Sequence, residues 1–161
     1  MKEMKNIFKA YLLMNPGLRG LIEWGILFAS GIVGLFVPVP RMPGFPVTAF
    51  AGGALFLGGV VFHAIAERVH ADAHKSTKVI SRIVDTGMYG KIRHPLYASL
   101  VVCNVGIGIG FGVYWTFGLA LLFSVFYMLT AREEVAYLCG GLPEYAEYMK
   151  KVRWRMIPGV F

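Results

Sequence analysis

From Pro95 to Ala131 the chain runs for 37 residues without an Asp, Glu, Lys, Arg or His. A span of the roughly 30 Å hydrocarbon core takes about 20 residues, so this run is too long for one crossing and right for two joined tightly. The expected break is Gly110-Phe111-Gly112, giving a hairpin of Pro95 to about Ile109 and Val113 to Ala131. Gly106 with Gly110, and Gly108 with Gly112, repeat the spacing that lets helices approach closely in lipid. Composition agrees, with 57% hydrophobic and only 16% charged residues, where soluble domains carry roughly 25%. An all-α integral membrane protein with about four transmembrane helices is expected.

The first span is expected from Gly20 to about Val39, with Arg19 and Glu23 at its mouth and Pro38-Val39-Pro40 breaking it. The second runs from about Pro46 to Ala66, its small residues serving packing. Lys2, Lys5 and Lys9 fall at helical spacing, which suits an interfacial helix. Lys9 interrupts any secretory core, so a cleaved signal peptide is not expected. One membrane domain follows: an interfacial segment over 1–19, two spans and a loop over 20–85, and a cofactor-binding module over 86–161.

Of the sixteen basic residues, four precede the first span, six lie between the second and third, and five follow the fourth. Only Arg41 falls on the other side. That asymmetry predicts a cell-membrane protein with both termini and the middle loop cytoplasmic. It also accounts for the net charge of +7 without nucleic acid as a partner.

The polar segment Thr86 to Tyr97 abuts the long apolar run. Proline suits the first helical position, because its ring presets φ and its missing N–H would have lacked a partner there. Pro95 therefore opens a helix whose first turn offers an anion site, with Arg93 and His94 as donors at its mouth. The same two residues also fit headgroup anchors. Past the fourth span come Arg132-Glu133-Glu134, whose adjacent carboxylates project in different directions, so that one can face a ligand while the other pairs with Arg132 or water; a solvated helix end fits the same residues. A short helix then runs from Pro143 to Val152, with Tyr145, Tyr148, Met149 and Val152 as a stripe that lies on the membrane or lids a site. Arg153-Trp154-Arg155 has the makeup of an interfacial anchor.

His63, Glu67, His70 and His74 share one face of a continuous helix, as a metal site or as a polar stripe facing the cleft or the interface. Cys103 and Cys139 have no placed base or cationic partner and are expected to be small apolar fillers.

Thr86-Gly87-Met88-Tyr89, Arg93-His94-Pro95-Leu96-Tyr97, the apolar hairpin, Glu133-Glu134, the tail tyrosines and the closing Ile157-Pro158 together resemble the C-terminal module of the isoprenylcysteine carboxyl methyltransferase and phospholipid methyltransferase families. The resemblance covers Thr86 to Pro158. It departs where Gly141-Leu142 stands for the family's usual Phe-Gly, and where Ser99 stands for a frequent Gly. What it implies is a membrane methyltransferase that passes the methyl group of S-adenosylmethionine to a lipid or lipid-modified carboxylate or amine. Tyr89, His94, Pro95, Leu96, Tyr97, Glu133 and Glu134 would then line the cofactor, with Arg93, Arg132 and Glu133 near the transferred group. Two other readings stand beside it. One is a reductase related to the sterol reductases, using a nicotinamide cofactor. The other is a non-enzymatic membrane protein that handles a metal or a lipid through its histidines.

Overall fold

The structure is a computed structural model that describes residues 7–8, 10–70 and 83–161. Helix α1 spans Pro16–Phe36, α2 Val47–Val69, α3 Pro95–Phe111, α4 Tyr114–Gly141 and α5 Tyr145–Lys151, with a 3-10 turn at Gly87–Gly90 before α3. The architecture is all-α; extended pairing among the described residues is limited to two isolated bridges, Arg41 with Val113 and Ile92 with Trp154.

The ends of these helices follow from local chemistry. Asn15 caps α1, its side chain accepting from the Leu18 N–H at 3.1 Å, and Pro16 takes the first helical position. Pro95 does the same for α3. Gly112 ends α3 at φ 63, a left-handed value that suits glycine, and its N–H returns to the Ile109 carbonyl. The chain reverses there and re-enters as α4, so the expected hairpin break is the observed one. A Cβ on Gly112 would also meet the Phe45 ring at 2.6 Å.

By length and composition α1, α2 and α4 are able to cross a membrane. The expected third span is a shorter apolar helix of 17 residues, about 25 Å at 1.5 Å per residue, because Gly112 stops it early. α3 packs on α2 through glycines: a Cβ on Gly52 would lie 2.2 Å from the Gly110 nitrogen, and one on Gly106 2.6 Å from the Phe56 nitrogen. Such approach is the main adhesive available where the solvent is as apolar as the side chains. α4, with 28 residues, is about 42 Å long and outruns a 30 Å core, so its last turns leave the apolar zone carrying Glu134 and Leu138. This is a membrane protein.

One sequence expectation fails on backbone grounds. α2 ends at Val69 and His70 follows at φ −136, ψ 80, so the expected face keeps His63 and Glu67 but the helix stops before His70. His74 lies outside the described residues. Arg19 and Glu23, expected at the mouth of the first span, are fully buried. Arg19 Nη1 donates to the Leu12 carbonyl at 2.9 Å and to Thr130 Oγ1 at 2.6 Å, and Nε lies 3.3 Å from Glu23 Oε1. The Tyr11 hydroxyl donates to the same Glu23 oxygen at 2.5 Å. The segment before α1, of which residues 10–12 are helical, therefore folds onto α4, with the Phe8 and Tyr11 rings against Phe126. Of the expected interfacial segment over 1–19, residues 1–6 and 9, and so Lys2, Lys5 and Lys9, lie outside the described residues.

Candidate functional site

At the end of the bundle where α2 and α4 leave the apolar zone and α3 begins, a partly enclosed cavity of about 60 Å³ opens. That is room for a few waters or a small hydrated ion, since one water needs roughly 10–15 Å³ on this measure. His70 comes from the end of α2, Tyr89 from the 3-10 turn, and His94, Leu96 and Tyr97 from the entry to α3. Glu134 and Leu138 project from α4, Tyr145 and Tyr148 from α5, and Arg93 stands at the wall.

His94 is the N-cap of α3 and is buried, as is Glu134. The two meet across helices at 3.1 Å from His94 Nδ1 to Glu134 Oε2. A carboxylate on Nδ1 fixes the tautomer and leaves the Nε2 lone pair for something else. Nε2 is buried and has no hydrogen-bond partner among the described residues. The ring is further fixed by Tyr97, stacked at 5.6 Å and 13°, and Tyr97 in turn stacks on Tyr127 at 5.9 Å.

The tail is a wall rather than a membrane anchor. α5 packs Tyr145, Tyr148 and Val152 against Val135 and Leu138 of α4. The Tyr148 hydroxyl donates to the Tyr89 carbonyl at 2.7 Å, and Lys151 Nζ reaches Asp85 Oδ2 at 2.6 Å. Beyond α5 the chain lies beside the entry to α3, with the Arg93 and His94 N–H groups donating to the Trp154 and Arg155 carbonyls at 2.9 and 2.8 Å. The expected anion site at the start of α3 is thus approached by backbone of the tail itself. Arg93 spends a guanidinium donor on the Arg153 carbonyl, 3.2 Å away. Trp154, read from sequence as an anchor, also pairs through its backbone with Ile92, while its side chain stays exposed.

Electrostatics narrow the chemistry. Burial pushes the Tyr89, Tyr145 and Tyr148 hydroxyls far above the ordinary phenol range, and the Glu134 charge pushes Tyr89 and Tyr145 further the same way. All three remain neutral donors at physiological pH. Negative or lone-pair density for a cation therefore rests with Glu134 and the imidazoles. Burial lowers the Arg93 pKa, though a guanidinium keeps its charge in proteins.

Of the residues expected from sequence, Tyr89, Arg93, His94, Leu96, Tyr97 and Glu134 line this one cavity, and Pro95 is buried behind it. Glu133 and Arg132 do not line it; Arg132 lies over the Phe161 ring at 5.4 Å. His70 was expected only as part of a helical stripe and was not grouped with His94. Its chain break is invisible to a helical pattern. His63 is one layer deeper, its Nδ1 2.8 Å from Ser99 Oγ. Among the described residues no three His, Cys, Asp or Glu side chains stand close enough to enclose a metal ion by themselves.

No family model matches the chain. Over 74 residues it is 36% identical to the cobalt-zinc-cadmium resistance protein CzcN of Cupriavidus metallidurans, an alignment covering 43% of this chain and 32% of that protein. The chain spans about a third of the length of the curated relative it matches. This match corrects the expectation of membership in the methyltransferase families and of S-adenosylmethionine-dependent methyl transfer, because the relative is named for resistance to metals. The residues that carried the resemblance have structural duties of their own. Pro95 starts a helix, Glu134 holds His94, Tyr148 ties α5 to Tyr89, and Glu133 with Arg132 stands away from the cavity.

Proposed function

We propose that this protein handles divalent transition-metal ions, of the cobalt, zinc and cadmium kind, at the cavity beneath its tail helix, and that binding rather than a chemical conversion is its role. The observation that carries this is His94: buried, with Nδ1 held by Glu134 and Nε2 turned to no partner among the described residues. A carboxylate behind an imidazole raises its basicity and aims its free nitrogen, which is the usual support of a histidine metal ligand. His70 lines the same cavity, and neutral imidazole suits these ions. The metal-resistance relative supports the same reading.

With fewer than three enclosing side chains among the described residues, the ion keeps water in its shell, which suits exchange better than permanent storage. Of the ten basic residues among the described ones, nine belong to segments at this end and Arg41 to the other, which supports a cytoplasmic side for the cavity by the positive-inside rule. The test is calorimetric titration of detergent-purified protein with Zn2+, Co2+ and Cd2+, beside His94→Ala and His70→Ala. Saturable binding weakened about tenfold or more by His94→Ala is expected. Folded wild type that binds none of the three, or binds them as well without His94, sinks the proposal.

A further inference from the structure

The opposite end of the bundle carries a different pairing of features. Between α1, α2 and α3 lies an apolar groove of about 160 Å³, lined by Phe28, Gly53, Phe56, Gly106 and Phe111 among others. Phe28 and Gly53 are exposed, so the groove opens to the outside of the bundle, where the surroundings are lipid. An apolar cavity has nothing to offer water, and leaving it empty forfeits dispersion contacts along its walls.

At the head of the groove stands Arg41. Its Nη1 donates to the Phe111 carbonyl at 3.1 Å and its Nη2 to the Gly34 carbonyl at 2.8 Å, and the guanidinium lies 5.1 Å from the centre of the Phe45 ring. Phe111 is therefore shared by the groove and the cation. The sequence contains no Asp or Glu from Trp24 to Ala66 or from Pro95 to Ala131, the stretches that build this end. Carbonyl dipoles satisfy donors but do not neutralise the charge, and Arg41 is only half-buried, so its guanidinium stays open to an anion from outside these stretches.

We propose that Arg41 and the groove together hold one phospholipid, its phosphate on the guanidinium and one acyl chain between α1, α2 and α3. The two halves match what a phospholipid presents: an anion at the membrane face and a hydrocarbon tail directly beneath it. Arginine is also the better phosphate partner of the two long cations, because it keeps further donors after its backbone bonds are made. This site is independent of the metal cavity, which lies at the other end of the same helices.

Native mass spectrometry of the full chain from mild detergent tests it, with dioleoylphosphatidylglycerol and inorganic phosphate added in separate arms. Wild type is expected to keep one phosphatidylglycerol mass and to ignore phosphate. Gly53→Leu fills the groove where a Cβ meets nothing within 4 Å, and Arg41→Gln removes the charge. Each is expected to lower the retained fraction about fivefold, while Arg41→Lys keeps the charge and the lipid. Wild type that retains no lipid, phosphate held without lipid, a dimer without lipid, or a loss in only one of Gly53→Leu and Arg41→Gln overturns the proposal.

Discussion

Two buried acid–base pairs sit within this bundle and do different things. Arg19 and Glu23 are one turn apart on α1, both fully buried, and their contacts run to Leu12, Thr130 and Tyr11, tying the chain before α1 to α4. Neither lines the cavity beneath the tail. His94 and Glu134 come from different helices, border a cavity, and leave one ring nitrogen over. Burial alone thus does not mark a site. Arg19 Nη2 and Glu23 Oε2 also lack hydrogen-bond partners among the described residues, so the pair that can take a ligand is the one that borders a cavity.

That contrast can be broken first where the effect is largest. Glu23→Gln leaves a buried guanidinium without its counter-charge, and losing one partner of such a pair costs about 3–5 kcal/mol. The expected outcome is a clear drop in melting temperature in detergent, with zinc affinity of the folded protein unchanged. Glu134→Gln should do the reverse. A loss of roughly 10- to 100-fold in metal affinity is expected from removing a carboxylate behind a histidine, with the helical spectrum retained. Equal effects of both substitutions on binding would erase the distinction drawn here.

Smaller effects sharpen the picture of the tail. Tyr148→Phe removes the bond to the Tyr89 carbonyl, about 1 kcal/mol, and should speed hydrogen exchange in α5 while leaving α1 and α2 as they were. The smallest concerns the Lys151–Asp85 strut on the surface. A hydrogen bond and then the charge of Lys151 hold the Asp85 carboxyl below its ordinary 3.8. A carboxyl with a depressed folded pKa contributes stability above its unfolded value and loses it as pH falls through the folded one. Tail protection should therefore be the same at pH 5 and pH 7 and fall only below 3.8, and Lys151→Ala should abolish that acid dependence.

Much of the scaffold was legible because lipid and water impose a simple code. Hydropathy marked the apolar helices, Pro95 marked the start of α3, and the Gly110–Gly112 triplet marked the reversal. The tail helix was also readable, down to its stripe of Tyr145, Tyr148 and Val152, and the structure decides between its two expected placements in favour of the wall over the cavity. The failures share a cause. The enclosure of Arg19 and Glu23 was not legible because hydropathy scores a side chain by type, and only the fold of the preceding segment reveals it. His70 leaves the helical stripe because α2 stops one residue before it. Trp154 bonds to the entry of α3 through its backbone, about which side-chain chemistry says nothing. The family expectation failed differently, since its motif residues are ones that this hairpin and tail also need in order to pack.

The backbone bonds from Arg93 and His94 to Trp154 and Arg155 join chain segments some sixty residues apart. During synthesis the apolar helices enter the bilayer in order, each as soon as it emerges, whereas this seam waits for the stretch beyond Lys151. His94 is consequently made early and enclosed late. A nascent chain halted after α4 would hold its hairpin in the membrane while its imidazole lacked one wall and had no fixed aim. The tail arrives after the hairpin, and it converts an inserted bundle into one with a defined mouth.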